Sequence, residues 1–129
     1  MLSPAFIALE TVLSIHREQL SLFGGSDGIR DRGLLESALA QPMATFGEDY
    51  LHGDLYAMAA AYLYHIVQNH PFVDGNKRVG LIVALVFLDG NGISTMASHL
   101  SLYDLVMEVA KGQINKQAIA AQLKALYSK

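Results

Sequence analysis

Residues 55–90, LYAMAAAYLYHIVQNHPFVDGNKRVGLIVALVFLDG, decide how this chain folds. One run within it, Leu55 to about Asn69, is Ala-rich and apolar nearly all round, which places it in the middle of a bundle, and a second strongly apolar helix begins near Asn76. Asp54 can cap the first run and His70-Pro71 ends it. Gly90-Asn91-Gly92 is a strong stop for the second. The nearly uninterrupted apolar stretches, Leu55 to Val67 and Val79 to Leu88, fall short of the roughly 18–20 residues that a membrane span needs.

Outward from this pair, punctuation cuts the rest into shorter helical pieces. Ser3-Pro4 is a good N-cap and first-turn pair, and Phe6, Leu9, Val12, Leu13 and Leu20 recur at helical spacing until Gly24-Gly25. Gly24 to Gly33 is turn-rich and predicts a loop. A short helix over Arg32 to Ala40 follows, broken by Gln41-Pro42. Residues 41–53 have no clean period and predict a loop or a short extended flap. Helices over Leu102–Lys111 and Lys116–Tyr127 close the chain, with Ser101 and Asp104 spaced like a capping box and Asn115 placed to cap the last. Ile93 to Met96 is faintly strand-like. The expectation is an all-α protein of about six helices around two central ones, with a possible short β flap.

Length and composition narrow the function. The 129 residues suit one domain spanning 1–129, and 52% apolar against 16% charged residues excludes a disordered chain. With no Cys, a disulfide framework, a thiolate metal site and a Cys nucleophile are all excluded. A net charge of −3 argues against a direct nucleic-acid or membrane-surface binder. The N-terminus lacks the basic start of a signal peptide, so a cytoplasmic protein is expected.

The polar chemistry is concentrated between the two most apolar helices, in His70-Pro71-Phe72-Val73-Asp74-Gly75-Asn76-Lys77-Arg78. Lys77 and Arg78 fall in a first helical turn, where they oppose the helix dipole; a bound polyphosphate removes that conflict. Gly75 allows the backbone to turn its N–H groups toward one spot. Asp74 offers a hard oxygen for Mg²⁺. Arg78 can fork onto phosphate oxygens, with Lys77 as a mobile charge. Asn76 can donate to phosphate or cap the helix. His70 is the nearby group whose ordinary pKa lies close to neutrality, which makes it the natural general base, and Phe72 turns inward to anchor the loop. Taken singly, His70 reads as a helix cap, Asp74-Gly75 as a turn and Lys77-Arg78 as a solvated face. The fixed combination changes that balance.

The segment from His70 to Arg78 resembles the signature of the Fic/Doc family, H-x-F-x-[D/E]-[G/A]-N-[G/K]-R, at every defined position. GIRDRGLLESALA (28–40) and LVFLDGNG (85–92) are similar to the Doc (death-on-curing) toxin branch, so the resemblance covers essentially the whole chain. It implies a compact Fic-like helical bundle. Lys77 stands where AMP-transferring Fic enzymes have Gly, and Leu81 where they have a second Arg. The Doc branch carries this Lys and lacks that Arg, and it passes the γ-phosphate of ATP to a Thr of elongation factor Tu, which stops translation.

The resemblance therefore implies a bacterial, cytoplasmic, ATP- and Mg²⁺-dependent protein kinase, with His70 as base, Asp74 on Mg²⁺, and Gly75, Asn76, Lys77 and Arg78 on the phosphates. The alternatives are a Fic-type protein adenylyltransferase and a degenerate member that only binds a partner. An inhibitory [S/T]-x-x-x-E-[G/N] helix is missing, because no Glu here is followed by Gly or Asn. The resemblance thus implies a separate Phd-type antitoxin. It also matches residues 41–53 to a flap that holds the target segment. His65 and His70, five apart, do not suit a helical metal site. Lys111, Lys116, Lys124 and Lys129 read as a wetted face.

Overall fold

Helices α3 (Leu55–Asn69) and α4 (Asn76–Gly90) pack along one another at the centre of the molecule, and the other helices assemble around them. The computed structural model describes residues 3–97 and 99–128. In chain order these form α1 (Leu9–Phe23), α2 (Arg32–Ala40), a 3₁₀ turn (Gln41–Met43), β1 (Thr45–Phe46), β2 (Asp49–Tyr50), α3, α4, α5 (Ser101–Ala110) and α6 (Lys116–Tyr127). Met58, Tyr62, Leu63 and Ile66 of α3 and Val79, Val83 and Phe87 of α4 are fully buried. Gly80 sets how closely the central pair approaches, since a Cβ there would lie 3.0 Å from Cγ2 of Val67. The all-α expectation holds: six helices, with one small two-stranded sheet, among the described residues. None of these helices is long and apolar enough to cross a membrane.

Three helix starts carry side-chain caps, each stabilising by about 1 kcal/mol. Asp31, Asp54 and Asn115 accept from the backbone N–H of Leu34, Ala57 and Ala118 at 2.9, 2.8 and 2.8 Å. Two expected caps are not used. The first helix begins at Leu9 after Ala8, not at Ser3-Pro4, because residues 5–7 are tied elsewhere. Ala5 exchanges two hydrogen bonds with the Asn91 side chain (2.7 and 3.1 Å), and the N–H of Ile7 donates to the Tyr62 hydroxyl at 2.9 Å. At α5 the capping position falls on Leu100, already in helical conformation, so Ser101 lies inside the first turn and makes no cap. Ile93–Met96 forms no strand; Thr95 instead folds back onto the end of α4, with its N–H and hydroxyl on the Asp89 carboxylate at 3.0 and 2.5 Å.

The flap is a hairpin in which Thr45 pairs with Tyr50 and Phe46 with Asp49. Its two-residue turn opens on Gly47 at φ 65°, the left-handed conformation that such a turn requires of its first residue.

Candidate active site

The segment 70–78 joins α3 to α4 and is fixed from below and from one side. Helix α3 ends on His70 at φ 50°, ψ 54°, and His70 is the one non-glycine residue with positive φ among the described residues. A side chain in that conformation costs on the order of 1–2 kcal/mol, so neighbouring bonds must hold it. Arg30 supplies two of them. Its Nε donates to the carbonyl of His70 at 2.6 Å and its Nη2 to that of Asn69 at 2.8 Å, which also closes the open carbonyl end of α3. The loop before α2 braces the motif in strand-like fashion. Ile29 pairs with Phe72, the N–H groups of Arg30 and Asp31 donate to the Pro71 carbonyl (2.7 and 3.0 Å), and Val73 N–H donates to Gly28 at 3.0 Å.

Phe72 is fully buried and stacks face to face on the imidazole of His16 from α1, with centroids 3.9 Å apart and planes 12° from parallel. Burying a phenyl ring this way contributes about 2–3 kcal/mol and fixes the middle of the loop.

Asn76 was expected among the phosphate ligands; its side chain is buried and committed to the loop instead. Its Oδ1 accepts from Phe72 N–H at 2.9 Å, and its Nδ2 donates to the Phe72 carbonyl at 2.9 Å. The same Nδ2 lies 2.6 Å from Nδ1 of His70, which is also 3.1 Å from the Phe72 carbonyl. With both amide ends on the Phe72 backbone, the Asn76 side chain fixes the loop beside His70 rather than an outside ligand. Nε2 of His70 is left with no protein hydrogen-bond partner among the described residues. A base at Nε2 needs the ring proton on Nδ1; there the Phe72 carbonyl accepts it, and the Asn76 amide, itself a donor, makes no bond to that nitrogen.

The groups expected to meet an anion lie together. Gly75, at φ 85°, is the N-cap of α4, and no side chain caps that helix. Lys77 and Arg78 are exposed in its first turn; the one ion pair among the described residues is Arg32 with Glu36, so both cations lack a carboxylate partner. The Arg78 guanidinium rests over the ring of Phe23 at 4.4 Å from its centroid. Asp74 is exposed; its Oδ1 accepts from Gly75 N–H at 2.9 Å and its Oδ2 from Ser26 N–H at 3.3 Å.

All of these border a cleft of about 660 Å³ lined by residues 70 and 73–78, with Val67 and Leu81 behind them. Its far wall is Tyr103, Val106, Met107 and Ala110 of α5. One side of the cleft is thus cationic and rich in backbone donors, and the other is apolar with an exposed aromatic ring. Chemically, it suits a ligand with a polyanionic end and a flat, less polar end.

Several of these residues escaped the sequence reading. Arg30 and His16 lie outside the motif, and Tyr103 and Met107 occupy an ordinary amphipathic helix, where nothing local marks them. Lys116, read as part of a wetted face, turns its amine inward to Nε2 of His52 (3.2 Å) and Nε2 of His65 (3.0 Å), and so ties the end of the flap to α3 and α6. Burial, then the Lys116 charge and then His52, lower the His65 pKa to about 4; His52 is lowered by the same first two causes. Lys129 lies outside the described residues.

The family model described as "Fic/DOC family" matches residues 6–88, which run from just before α1 into the last turn of α4. The chain is 33% identical to the protein kinase doc of Escherichia phage P1 over 121 residues, 94% of each chain. It is 41% identical to the toxin Doc of Mycolicibacterium smegmatis over 104 residues, 78% of this chain and 79% of that one.

Proposed function

Because the chain belongs to the Fic/DOC family, we propose that it is the toxin of a toxin–antitoxin pair and moves the γ-phosphate of ATP to a protein hydroxyl. The observation that carries this reading is the pair of unpaired cations, Lys77 and Arg78, beside the uncapped start of α4 and across the cleft from the apolar wall of α5. A triphosphate fits the first side and an adenine base the second, with Tyr103 available for stacking. Leu81 in this cleft, where nucleotide-transferring relatives in the family's pattern carry a second Arg, supports phosphate rather than AMP as the group moved.

The residues fit a Mg²⁺ shared with the phosphates. Asp74 presents two hard oxygens, each held by one backbone N–H and still open to a further partner, and this ion needs only one or two carboxylates when phosphate oxygens complete its shell. When bound, it supplies neutralisation of phosphate charge. The protein's own work is positional. Arg78, steadied by Phe23, and Lys77 hold the transferring group, and the first-turn N–H groups of α4 donate to its charged oxygens. Nε2 of His70 takes the proton of an incoming Thr or Ser hydroxyl. That oxygen bonds to the γ-phosphorus, the bond to the bridging oxygen breaks, and ADP leaves with the electron pair.

Elongation factor Tu is the proposed target, held in extended form along the flap hairpin, and the proposed partner is a Phd-type antitoxin. The test is incubation of the purified chain and elongation factor Tu with ATP labelled at the α or the γ position, with His70→Ala beside it. Gamma label on the target, absent with His70→Ala, is expected. Alpha label would replace this reading with adenylyl transfer, and no label on protein would reject both.

A further inference from the structure

We infer that His16, on α1 and outside the motif, is a positioning residue for the Asp74 carboxylate; its role in transfer rests on the phosphate-transfer reading above. The imidazole is only 3% exposed, and a buried polar ring is retained at little cost only when its nitrogens are used. Its Nε2 lies 3.0 Å from the backbone carbonyl of Asp74. A carbonyl only accepts, so the proton is on Nε2 and His16 donates it. The ring is also pressed against the next residue: a Cβ at Gly75 would sit 3.7 Å from Cδ2 and 3.9 Å from Nε2 of His16.

The consequence follows from the planarity of the peptide bond. The carbonyl of Asp74 and the N–H of Gly75 belong to one rigid unit and point in opposite directions. His16 holds the oxygen end, and the hydrogen end donates to Oδ1 of Asp74 at 2.9 Å. Turning that plane breaks both bonds together. His16 therefore sets the tilt of the peptide, and the peptide sets one oxygen of the carboxylate. Stacking on Phe72 fixes the ring itself, so the chain of contacts runs from the body of α1 to the acidic group without a mobile link. Nothing in this arrangement lets His16 reach a reacting atom. It acts through Asp74.

The test compares the full-length parent with His16→Phe, which keeps a stacking ring but has no donor, and His16→Gln, which restores an N–H. Two readouts are taken: the Mg²⁺ concentration giving half-maximal transfer, and the amide signal of Gly75 in ¹⁵N spectra without nucleotide. His16→Phe is expected to move the Gly75 signal and raise the Mg²⁺ requirement about tenfold, the worth of one hydrogen bond, with His16→Gln recovering most of both. A His16→Phe chain indistinguishable from the parent, or a folded His16→Gln no better than His16→Phe, overturns the assignment. If the parent transfers no label at all, the functional reading fails, and the Gly75 signal still decides the case of His16. If His16→Phe does not fold, the ring nitrogens of the parent decide: a neutral ring with its proton on Nδ1 contradicts the inference, and coupling from Nε2–H to the Asp74 carbonyl supports it.

Discussion

A Cβ on Gly25 would stand 2.7 Å from Oδ2 of Asp74, so the loop after α1 touches the acidic group of the motif with bare backbone. Gly25 also sits at φ 119°, a conformation that side chains rarely adopt. The Gly24-Gly25 pair therefore does more than stop a helix: it makes room for the carboxylate and lets Ser26 N–H reach it. Gly25→Ala is expected to displace Asp74 and lower transfer at least tenfold while melting within a few degrees of the parent. Assays across Mg²⁺ concentrations check this. An unchanged Mg²⁺ dependence would mean that the loop adapts and Asp74 does not need that contact.

Arg30 bonds two carbonyls that would otherwise be left open at the end of α3, and it holds His70 in its left-handed conformation. Arg30→Ala is expected to destabilise the fold by about 1–3 kcal/mol, the range for charge-assisted hydrogen bonds, and to reduce kcat more than it raises KM for ATP. Denaturant unfolding and steady-state kinetics check the two effects separately. Arg30→Lys cannot span both carbonyls and should recover only part of either.

The ring of Phe23 beneath the Arg78 guanidinium contributes about 1 kcal/mol at an exposed site. Phe23→Ala should therefore raise KM for ATP by about fivefold, while Phe23→Trp keeps it near the parent value. If the two variants behave alike, Arg78 is held by something other than that face.

Acid should loosen the clamp at the end of the flap. His65 is neutral in the folded chain down to about pH 4, whereas an unfolded imidazole takes its proton near 6.5. Between those values the unfolded state binds more protons, so stability is full above about 6.5 and declines as pH falls toward 4. After allowance for solvent around a half-buried ring, the loss is of order 1–2 kcal/mol. Unfolding free energies of the parent and His65→Gln across this range check it: the parent should lose stability on acidification, and the variant should lose less.

How much of this was legible in the sequence follows from where the information is local. The central helices, their stops and the caps at Asp54 and Asn115 depend on composition and spacing within a few residues, and they fall where the pattern puts them. The flap was readable only as a break in periodicity. Its two-residue strands are too short to alternate visibly, and Lys116, which ties its end, is 64 residues from His52. Ser3-Pro4 and Ser101 have the right chemistry for caps, but tertiary bonds to Asn91 and Tyr62, and an early turn at Leu100, move the helix starts away from them. Within the motif, Asn76 could be placed but not assigned, since an amide suits phosphate and backbone equally. His16 and Arg30 act across 58 and 40 residues of sequence, and no local pattern announces such a pairing.

In the proposed reaction the start of α4 gathers the phosphates of ATP within reach of His70. Titrating ¹⁵N-labelled protein with Mg²⁺-ATP tests it most directly. Saturable movement of the Gly75, Asn76, Lys77 and Arg78 amide signals, together with the His70 ring, is expected, with that movement lost in Arg78→Ala. Amide signals at 75–78 that stay fixed at millimolar nucleotide would contradict it.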